Sequence, residues 1–194
     1  MLSVVIPTID GREESLARAR EAYRQTGPIE MEIIVIENLA NWPAACNEGY
    51  RRAVGDRLHF SADDLEPLEG WWKEALPWLD EHDELPAPKV FNHSPDGEWD
   101  NAVDGPDGAI PHFTRIPLMT REQYERIGPW PEIPYASDVW LSERGRTLGI
   151  ETRMFHSYAF VHHWNQVGRI DSQENIAYSD HVLNEARRAG LPAL

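Results

Sequence analysis

The sequence predicts an α/β fold in which a mostly parallel, Rossmann-type sheet is flanked by helices within a single domain. Short β-branched runs alternate with segments of helical periodicity over the first ninety or so residues. This pattern is typical of parallel strands joined by right-handed helical crossovers. The length of 194 residues agrees with one domain and suffices for a hydrophobic core.

Three strands and two helices account for the first sixty residues. The strands are expected at Val4–Ile6, Ile33–Ile36 and Leu58–Phe60, because each is a short apolar run. The helices between them are expected at about Glu13–Gln25 and around Ala45–Ala53. Ligands of open α/β sheets bind beyond the carboxyl ends of the strands. The polar residues at these ends are Thr8, Glu37, Asn38, Asp63 and Asp64.

The second half of the chain is less regular. The segment from about Leu85 to Pro111 is rich in Pro, Gly and Asp, which predicts loops around one strand at Lys89–Phe91. Thr120 and Gln123 have the spacing of a capping box at the start of a short helix. The remaining elements are expected to be a helix with Ser137 as its N-cap, a strand at Tyr158–Val161 and a helix from about Ser172 to Ala189.

Charge and composition exclude several classes of protein. Lys and Arg number 18 against 33 Asp and Glu, a net charge of −15, so extended nucleic-acid binding is not expected. An acidic protein that binds a phosphorylated small molecule needs a metal ion or helix N-termini to offset repulsion. Cys46 is the only cysteine, which excludes a disulfide within the chain. With no visible signal peptide or transmembrane run, we expect a cytoplasmic protein.

Three groups of residues are candidates for chemistry, each with a simpler alternative. Asp63 and Asp64 follow a buried strand and could hold Mg²⁺ or Mn²⁺, although paired acids in a turn are commonly just solvated. Asp138, at a helix start, could act as a general base or only compensate the helix dipole. Either His162 or His163 could add a metal ligand, but structural or surface histidines are more common.

Tryptophan is abundant, and its large rings either pack in cores or line clefts. Trp140 lies in a predicted helix and is expected in the core. Trp71 or Trp72, and Trp164, are the better candidates for lining a cleft.

In their order along the chain, these motifs resemble a family 2-type glycosyltransferase of the GT-A fold, over roughly residues 2–165. Ser3–Thr8 resembles the opening strand and nucleotide-contacting loop, and Ser61–Asp64 occupies the position of the D-x-D motif. Met119–Trp130 resembles the acceptor-side helix, and Ser137–Leu141 the Glu-Asp motif. Val161–His162 resembles the late histidine that completes metal coordination.

The resemblance implies a role for each matching residue. It implies a nucleoside diphosphate-sugar donor and an acceptor hydroxyl, with Asp138 as the base of an inverting transfer that depends on Mn²⁺ or Mg²⁺. Asp64 and His162 would be the metal ligands. The implied nucleotide contacts are Pro7, Thr8, Glu37, Asn38, Asn47 and Asp63. Ala62 and Ser137 stand where the family has acids, which favours a non-catalytic relative that binds a sugar nucleotide or glycan.

The family pattern also implies how the chain is organised. Residues 1–165 would form the glycosyltransferase domain, with a nucleotide-sugar and metal half to about residue 84 and an acceptor half from about 85. Residues 166–194 would be a helical tail packed on the same domain. The acceptor (a glycan, a lipid-linked sugar or a small molecule) and the oligomeric state are not predicted. A metal-dependent hydrolase or nucleotidyltransferase is a further alternative, but Thr8–Arg12 lacks a Gly-rich basic loop.

Overall fold

The structure, a computed structural model, describes residues 1–93, 99–101, 116–163 and 173–191. Within them, two four-stranded sheets are covered by helices, and the predicted α/β class is confirmed. The chain contains eight described strands and six described helices. The strands are β1 Leu2–Thr8, β2 Met31–Glu37, β3 Arg57–Phe60, β4 Leu65–Pro67, β5 Glu84–His93, β6 Trp99–Asn101, β7 Leu118–Thr120 and β8 Glu151–His163.

The first sheet contains the three predicted strands and has the order β2-β1-β3-β7. β1 is central and parallel to both neighbours, with Val4 in register with Ile33 and with His59. β7 pairs with β3 in the antiparallel direction. Because β1, β2 and β3 run the same way, their carboxyl ends share one edge of the sheet.

The second sheet was not anticipated from the sequence. Its order is β4-β8-β5-β6, with β5 and β8 parallel and the outer strands antiparallel to them. The strand predicted at Lys89–Phe91 is confirmed as part of the ten-residue strand β5, whereas the prediction of loops is wrong for residues 85–88 and 92–93, which belong to the same strand. Residues 94–98 and 102–115 of that predicted loop region lie outside the described residues.

The described residues form six helices: α1 Glu13–Thr26, α2 Trp42–Arg52, α3 Trp71–Glu81, α4 Arg121–Ile127, α5 Ser137–Thr147 and α6 Gln173–Arg188. The capping box at Thr120 and Gln123 is confirmed, since both of its hydrogen bonds are present. Ser137 is not the N-cap of α5 but its first residue; the N-cap is Ala136, with a φ of 59°. None of the described helices is both long and apolar enough to cross a membrane.

Close packing fixes α2 against the first sheet. A Cβ atom added to Gly49 would lie 2.2 Å from Cγ1 of Val5, so only glycine lets the helix approach the strand this closely.

At the other end of the domain, α6 packs on α5 through Trp140, Leu183 and Leu191, and Trp140 is a core residue as expected. The boundary at residue 165 stays a prediction.

The two adjacent tryptophans at the start of α3 belong to the core and do not line a cleft. Trp71 and Trp72 are 3% and 4% exposed and pack on Phe160 of β8, which corrects the expectation from the sequence. Trp164 lies outside the described residues. The aromatic layer therefore joins α3 to the second sheet and stabilises the fold.

A buried polar cluster lies beneath the carboxyl end of β3. The hydroxyl of Tyr23 donates to Ser61 Oγ at 2.6 Å and lies 2.8 Å from His59 Nε2. The His59 ring is fully buried against Trp72 and Phe160. Burial lowers the pKa of His59 from 6.5 to about 3, so the imidazole is neutral in the folded protein.

The buried imidazole predicts acid sensitivity. Below pH 6.5 the unfolded state binds a proton at His59 that the folded state does not accept until about pH 3. The free energy of unfolding therefore decreases as the pH is lowered through this range. His59 alone should account for a loss of about 2 kcal/mol between pH 7 and pH 5. Urea denaturation at the two pH values should show a smaller loss in His59→Gln than in the wild type. The exposed His82 supplies the control, since His82→Gln should keep the wild-type loss; equal losses in all three proteins would contradict the prediction.

Candidate functional site

The carboxyl ends of β1 and β3 lie side by side, which brings Thr8 close to Asp63. Ser61 N donates to Val5 O at 2.9 Å, which extends the pairing of the two strands past Phe60. Thr8 Oγ1 then donates to Asp63 Oδ2 at 2.6 Å, across 55 residues of sequence. The edge predicted from the strand pattern is thus a compact site in the structure.

Asp63 is the buried member of the acid pair. Its side chain is 1% exposed, and its second oxygen accepts a hydrogen bond from Arg12 Nη1 at 2.8 Å. Burial raises the pKa of Asp63, although the bonds from Thr8 and Arg12 act in the opposite direction. Both carboxylate oxygens of Asp63 therefore accept hydrogen bonds from the protein, so the residue is poorly placed to coordinate a metal ion.

Arg12 contacts both acids. The same Nη1 atom lies 3.4 Å from Asp64 Oδ2, and the Arg12 side chain is itself 14% exposed. Arg12 is the N-cap residue of α1, in the loop that follows β1, where sheets of this type bind ligands. Together, the side chains of Asp63, Asp64 and Arg12 carry a formal charge of −1.

The structure separates the two histidines. His162 Nε2 lies 3.6 Å from Asp64 Oδ2, whereas His163 Nε2 lies 2.8 Å from Glu66 Oε1. That Glu66 oxygen also contacts Arg18 Nε at 2.5 Å. Antiparallel pairing of β4 with β8 brings both histidines to the acid segment. Of the two, His162 is therefore the one beside the acid pair.

Glu37 and Asn38 lie at the end of β2, on the same edge and exposed. Asn38 has a φ of 55° and its backbone N–H donates to Thr8 O at 3.0 Å. Its side chain exchanges two hydrogen bonds with Asp10, at 2.9 and 3.0 Å. An exposed acid and amide beside the loop after β1 could recognise the donor groups of a nucleobase.

Two of the predicted nucleotide contacts lie inside the protein. Pro7 is buried within β1, in register with Ile36 of β2. Asn47 is 7% exposed: its amide donates to Trp130 O at 2.9 Å, and its carbonyl accepts from Trp130 N and from the Tyr124 hydroxyl. The amide of Asn47 thus holds the segment before α5, and its nucleotide role stays a prediction.

Asp138 lies in the first turn of α5 and is partly exposed. Its Oδ1 accepts from the backbone N–H of Val139 at 2.9 Å. The segment that leads into α5 is fixed to the acid edge through Trp42, whose ring stacks edge-on against Trp130 at 4.7 Å. The Trp42 indole N–H donates to the carbonyl of Ser61 at 2.8 Å. These contacts join the segment before α5 to the acid edge, and the catalytic role of Asp138 stays a prediction.

The donor set fits a divalent cation that takes its other ligands from a substrate. Asp64 Oδ2 and His162 Nε2 lie close together, and the local charge of −1 favours a cation. In residues 1–93, 99–101, 116–163 and 173–191, no three His, Cys, Asp or Glu side chains form a ready-made metal cage. Mg²⁺ is typically held by one or two carboxylates together with phosphate oxygens and water, which two protein donors would allow.

Comparison with solved structures identifies the fold. The S. aureus TarS structure superposes with a TM-score of 0.70 at 12% identity, over 95% of this chain and 39% of that one. TarS 1–349 in complex with UDP-GlcNAc gives 0.72 at 12% identity, over 94% and 65%. GalNAc-T7 with UDP, GalNAc and Mn²⁺ gives 0.72 at 12% identity, over 95% and 48%.

These likenesses show that the chain has the fold of GT-A glycosyltransferases. The chain spans between 39% and 65% of the length of the three structures. The sequence matches no protein-family model and no curated protein. The expected fold is confirmed, whereas assignment to family 2 stays a prediction.

Sequence reasoning missed three residues of the site: Arg12, Asp10 and Trp42. Arg12 and Asp10 lie in the loop after the first strand, and their position at the ligand-binding edge was a usable signal. Trp42 was not identified because its contact with Ser61 O depends on how α2 packs on the sheet.

The position of Asn47 predicts a structural effect of its loss. Asn47→Ala would leave the buried N–H and C=O of Trp130 and the Tyr124 hydroxyl without their partner. We expect a loss of about 2–4 kcal/mol in the free energy of unfolding, measured by urea denaturation. Asn184→Ala, on the exposed face of α6, should change it by less than about 0.5 kcal/mol. Unchanged stability of Asn47→Ala with weakened nucleotide binding would instead make Asn47 a direct ligand contact.

Proposed function

We propose that the protein is a family 2-type glycosyltransferase that moves a sugar from a nucleoside diphosphate-sugar to an acceptor hydroxyl. The observation that carries the proposal is the cluster of Thr8, Arg12, Asp63, Asp64 and His162 at the carboxyl edge of a GT-A-type sheet. Ligands of such sheets bind at this edge. The structures of TarS with UDP-GlcNAc and of GalNAc-T7 with UDP support a sugar nucleotide as the donor class.

The nucleoside would occupy the end of the first two strands. The exposed carboxylate of Glu37 and the Asn38–Asp10 pair present acceptors and donors for a base or ribose. Thr8 and Pro7 shape the floor of this site through the backbone. Asp63 accepts hydrogen bonds from Thr8 and Arg12, so that the loop after β1 is fixed beside the expected position of the diphosphate.

Asp64 and His162 would hold Mn²⁺ or Mg²⁺, and the Mn²⁺ in the GalNAc-T7 structure supports this choice of ion. A divalent ion supplies charge neutralisation of a diphosphate leaving group. On the protein side, the Asp64 carboxylate is 12% exposed and the His162 ring is 29% exposed, so both can be reached from solvent.

Asp138 would act as the general base. A carboxylate in the first turn of α5 can accept the proton of the acceptor hydroxyl as that oxygen bonds to the anomeric carbon. Attack from the face opposite the diphosphate inverts the anomeric centre. The hydrogen bond from Val139 N fixes one carboxylate oxygen of Asp138 in the first turn of α5.

A second candidate is a sugar-nucleotide or glycan-binding protein that does not transfer the sugar. Ala62 and Ser137 favour it, because acids stand at both positions in the family pattern. Neither alanine nor serine carries a carboxylate that could take the place of the family's acid. Ala62 packs on the hydrophobic core, and Ser137 is 7% exposed. Acceptor-stimulated turnover distinguishes the two candidates, since a binding protein has none.

Asp138→Asn is the variant that tests the catalytic role. With the sugar nucleotide whose diphosphate binds best, we expect donor binding within about twofold of wild type. The rate at which the acceptor takes up the sugar and the nucleoside diphosphate is released should fall at least about 100-fold. Glu122→Gln is the matched control, because Glu122 is also an acid in a helix first turn, that of α4. The control should retain wild-type turnover.

Two results would contradict this assignment. Unchanged turnover in Asp138→Asn would exclude Asp138 as the base. An equal loss in Glu122→Gln would show that the effect arises from the helix dipole or from net charge.

A further inference from the structure

The guanidinium of Arg12 is a positive charge in contact with both members of the acid pair. Its Nη1 lies 2.8 Å from Asp63 Oδ1 and 3.4 Å from Asp64 Oδ2. We propose that Arg12 is the built-in counter-ion of the pair, which competes with the divalent cation until a diphosphate takes over its guanidinium. This inference rests on the proposed function, in which the same edge binds a nucleoside diphosphate.

Charge is the first argument. While Arg12 pairs with both acids, the site carries a formal charge of −1, and a divalent ion at Asp64 would lie within a few ångströms of a fixed positive charge. Like charges at such distances in a partly buried site repel strongly. Metal binding to the nucleotide-free protein is therefore disfavoured by Arg12.

The geometry of Asp63 is the second argument. When Arg12 moves, Asp63 Oδ2 keeps the bond from Thr8 at 2.6 Å, and only the bond from Arg12 to Oδ1 is given up. The Arg12 side chain is partly exposed at the edge and belongs to the loop before α1. Rotation about its side-chain bonds can turn the guanidinium from the acids to a ligand in the cleft without breaking the sheet.

The ligand that would draw Arg12 away is an oxyanion. A guanidinium binds phosphate through two parallel N–H donors, and a diphosphate offers oxygens for both. Binding of a diphosphate would release Asp64 for the cation, and the cation would in turn favour the diphosphate. Because such coupling is reciprocal, each ligand should raise the affinity for the other.

Mn²⁺ binding without any nucleotide tests the first half. Free aquo-Mn²⁺ is followed by electron paramagnetic resonance during titration of wild type, Arg12→Gln and Arg18→Gln. We expect Arg12→Gln to bind Mn²⁺ at least fivefold more tightly than wild type. Arg18→Gln also removes one positive charge, but next to Glu66 and not next to the acid pair. Its affinity for Mn²⁺ should stay within about twofold of wild type. Equal affinity in wild type and Arg12→Gln, or an equal gain in Arg18→Gln, would overturn the proposal.

Inorganic pyrophosphate in EDTA tests the second half. By isothermal titration calorimetry, the wild type should bind it and Arg12→Gln should bind at least fivefold more weakly. Absence of binding to the wild type, or equal binding to both, would overturn the role of Arg12 in holding the diphosphate. Arg12→Lys, which keeps the charge without the bidentate fork, should lie between the two in both titrations and serves if Arg12→Gln does not fold.

The two titrations also separate this inference from the proposed function. The Mn²⁺ experiment contains no nucleotide, so it can fail while nucleoside diphosphates still bind. Conversely, the competition between Arg12 and Mn²⁺ can be present in a protein that transfers no sugar.

Discussion

The buried carboxylate of Asp63 is the constraint on which the ligand edge depends. An acid that is 1% exposed must be satisfied by the protein, and here Thr8 of β1 and Arg12 of the following loop supply the donors. These bonds join the end of β3 to the end of β1 and fix the loop that leads into α1. Asp64, one residue later, is left partly exposed beside His162. The more deeply buried acid thus orients its neighbour.

The second sheet completes the site from the other side. β8 runs along β4, so that His162 and His163 reach the acid segment, and each imidazole meets a different carboxylate. α2 joins the two halves through Trp42 and Asn47, which hold the carbonyl of Ser61 and the backbone of Trp130. The residues of the site are therefore fixed by packing between elements that are far apart in sequence.

The sequence was sufficient for what depends on local pattern. The β-branched runs of β1, β2 and β3 predicted three parallel strands, and the strand ends predicted where Asp63 and Asp64 lie. The strands predicted at Lys89–Phe91 and Tyr158–Val161 are parts of β5 and β8. Their pairing into a second sheet was not predictable, because β4 has only three residues and β8 is interrupted by polar side chains. The helix α3 was not predicted, because Pro77 lies within it and proline is unusual inside a helix. Arg12 was overlooked since a long side chain acts at a distance that periodicity does not describe.

The central claim is that this edge binds a nucleoside diphosphate together with a divalent cation. The most direct test is the melting temperature of wild type and Asp64→Asn with UDP, GDP, dTDP or CDP, each in Mn²⁺ and in EDTA. We expect one diphosphate to stabilise the wild type more in Mn²⁺ than in EDTA, and Asp64→Asn to lose that difference. No response of the wild type to any of the four in Mn²⁺, or a full Mn²⁺-dependent response in Asp64→Asn, would contradict the claim.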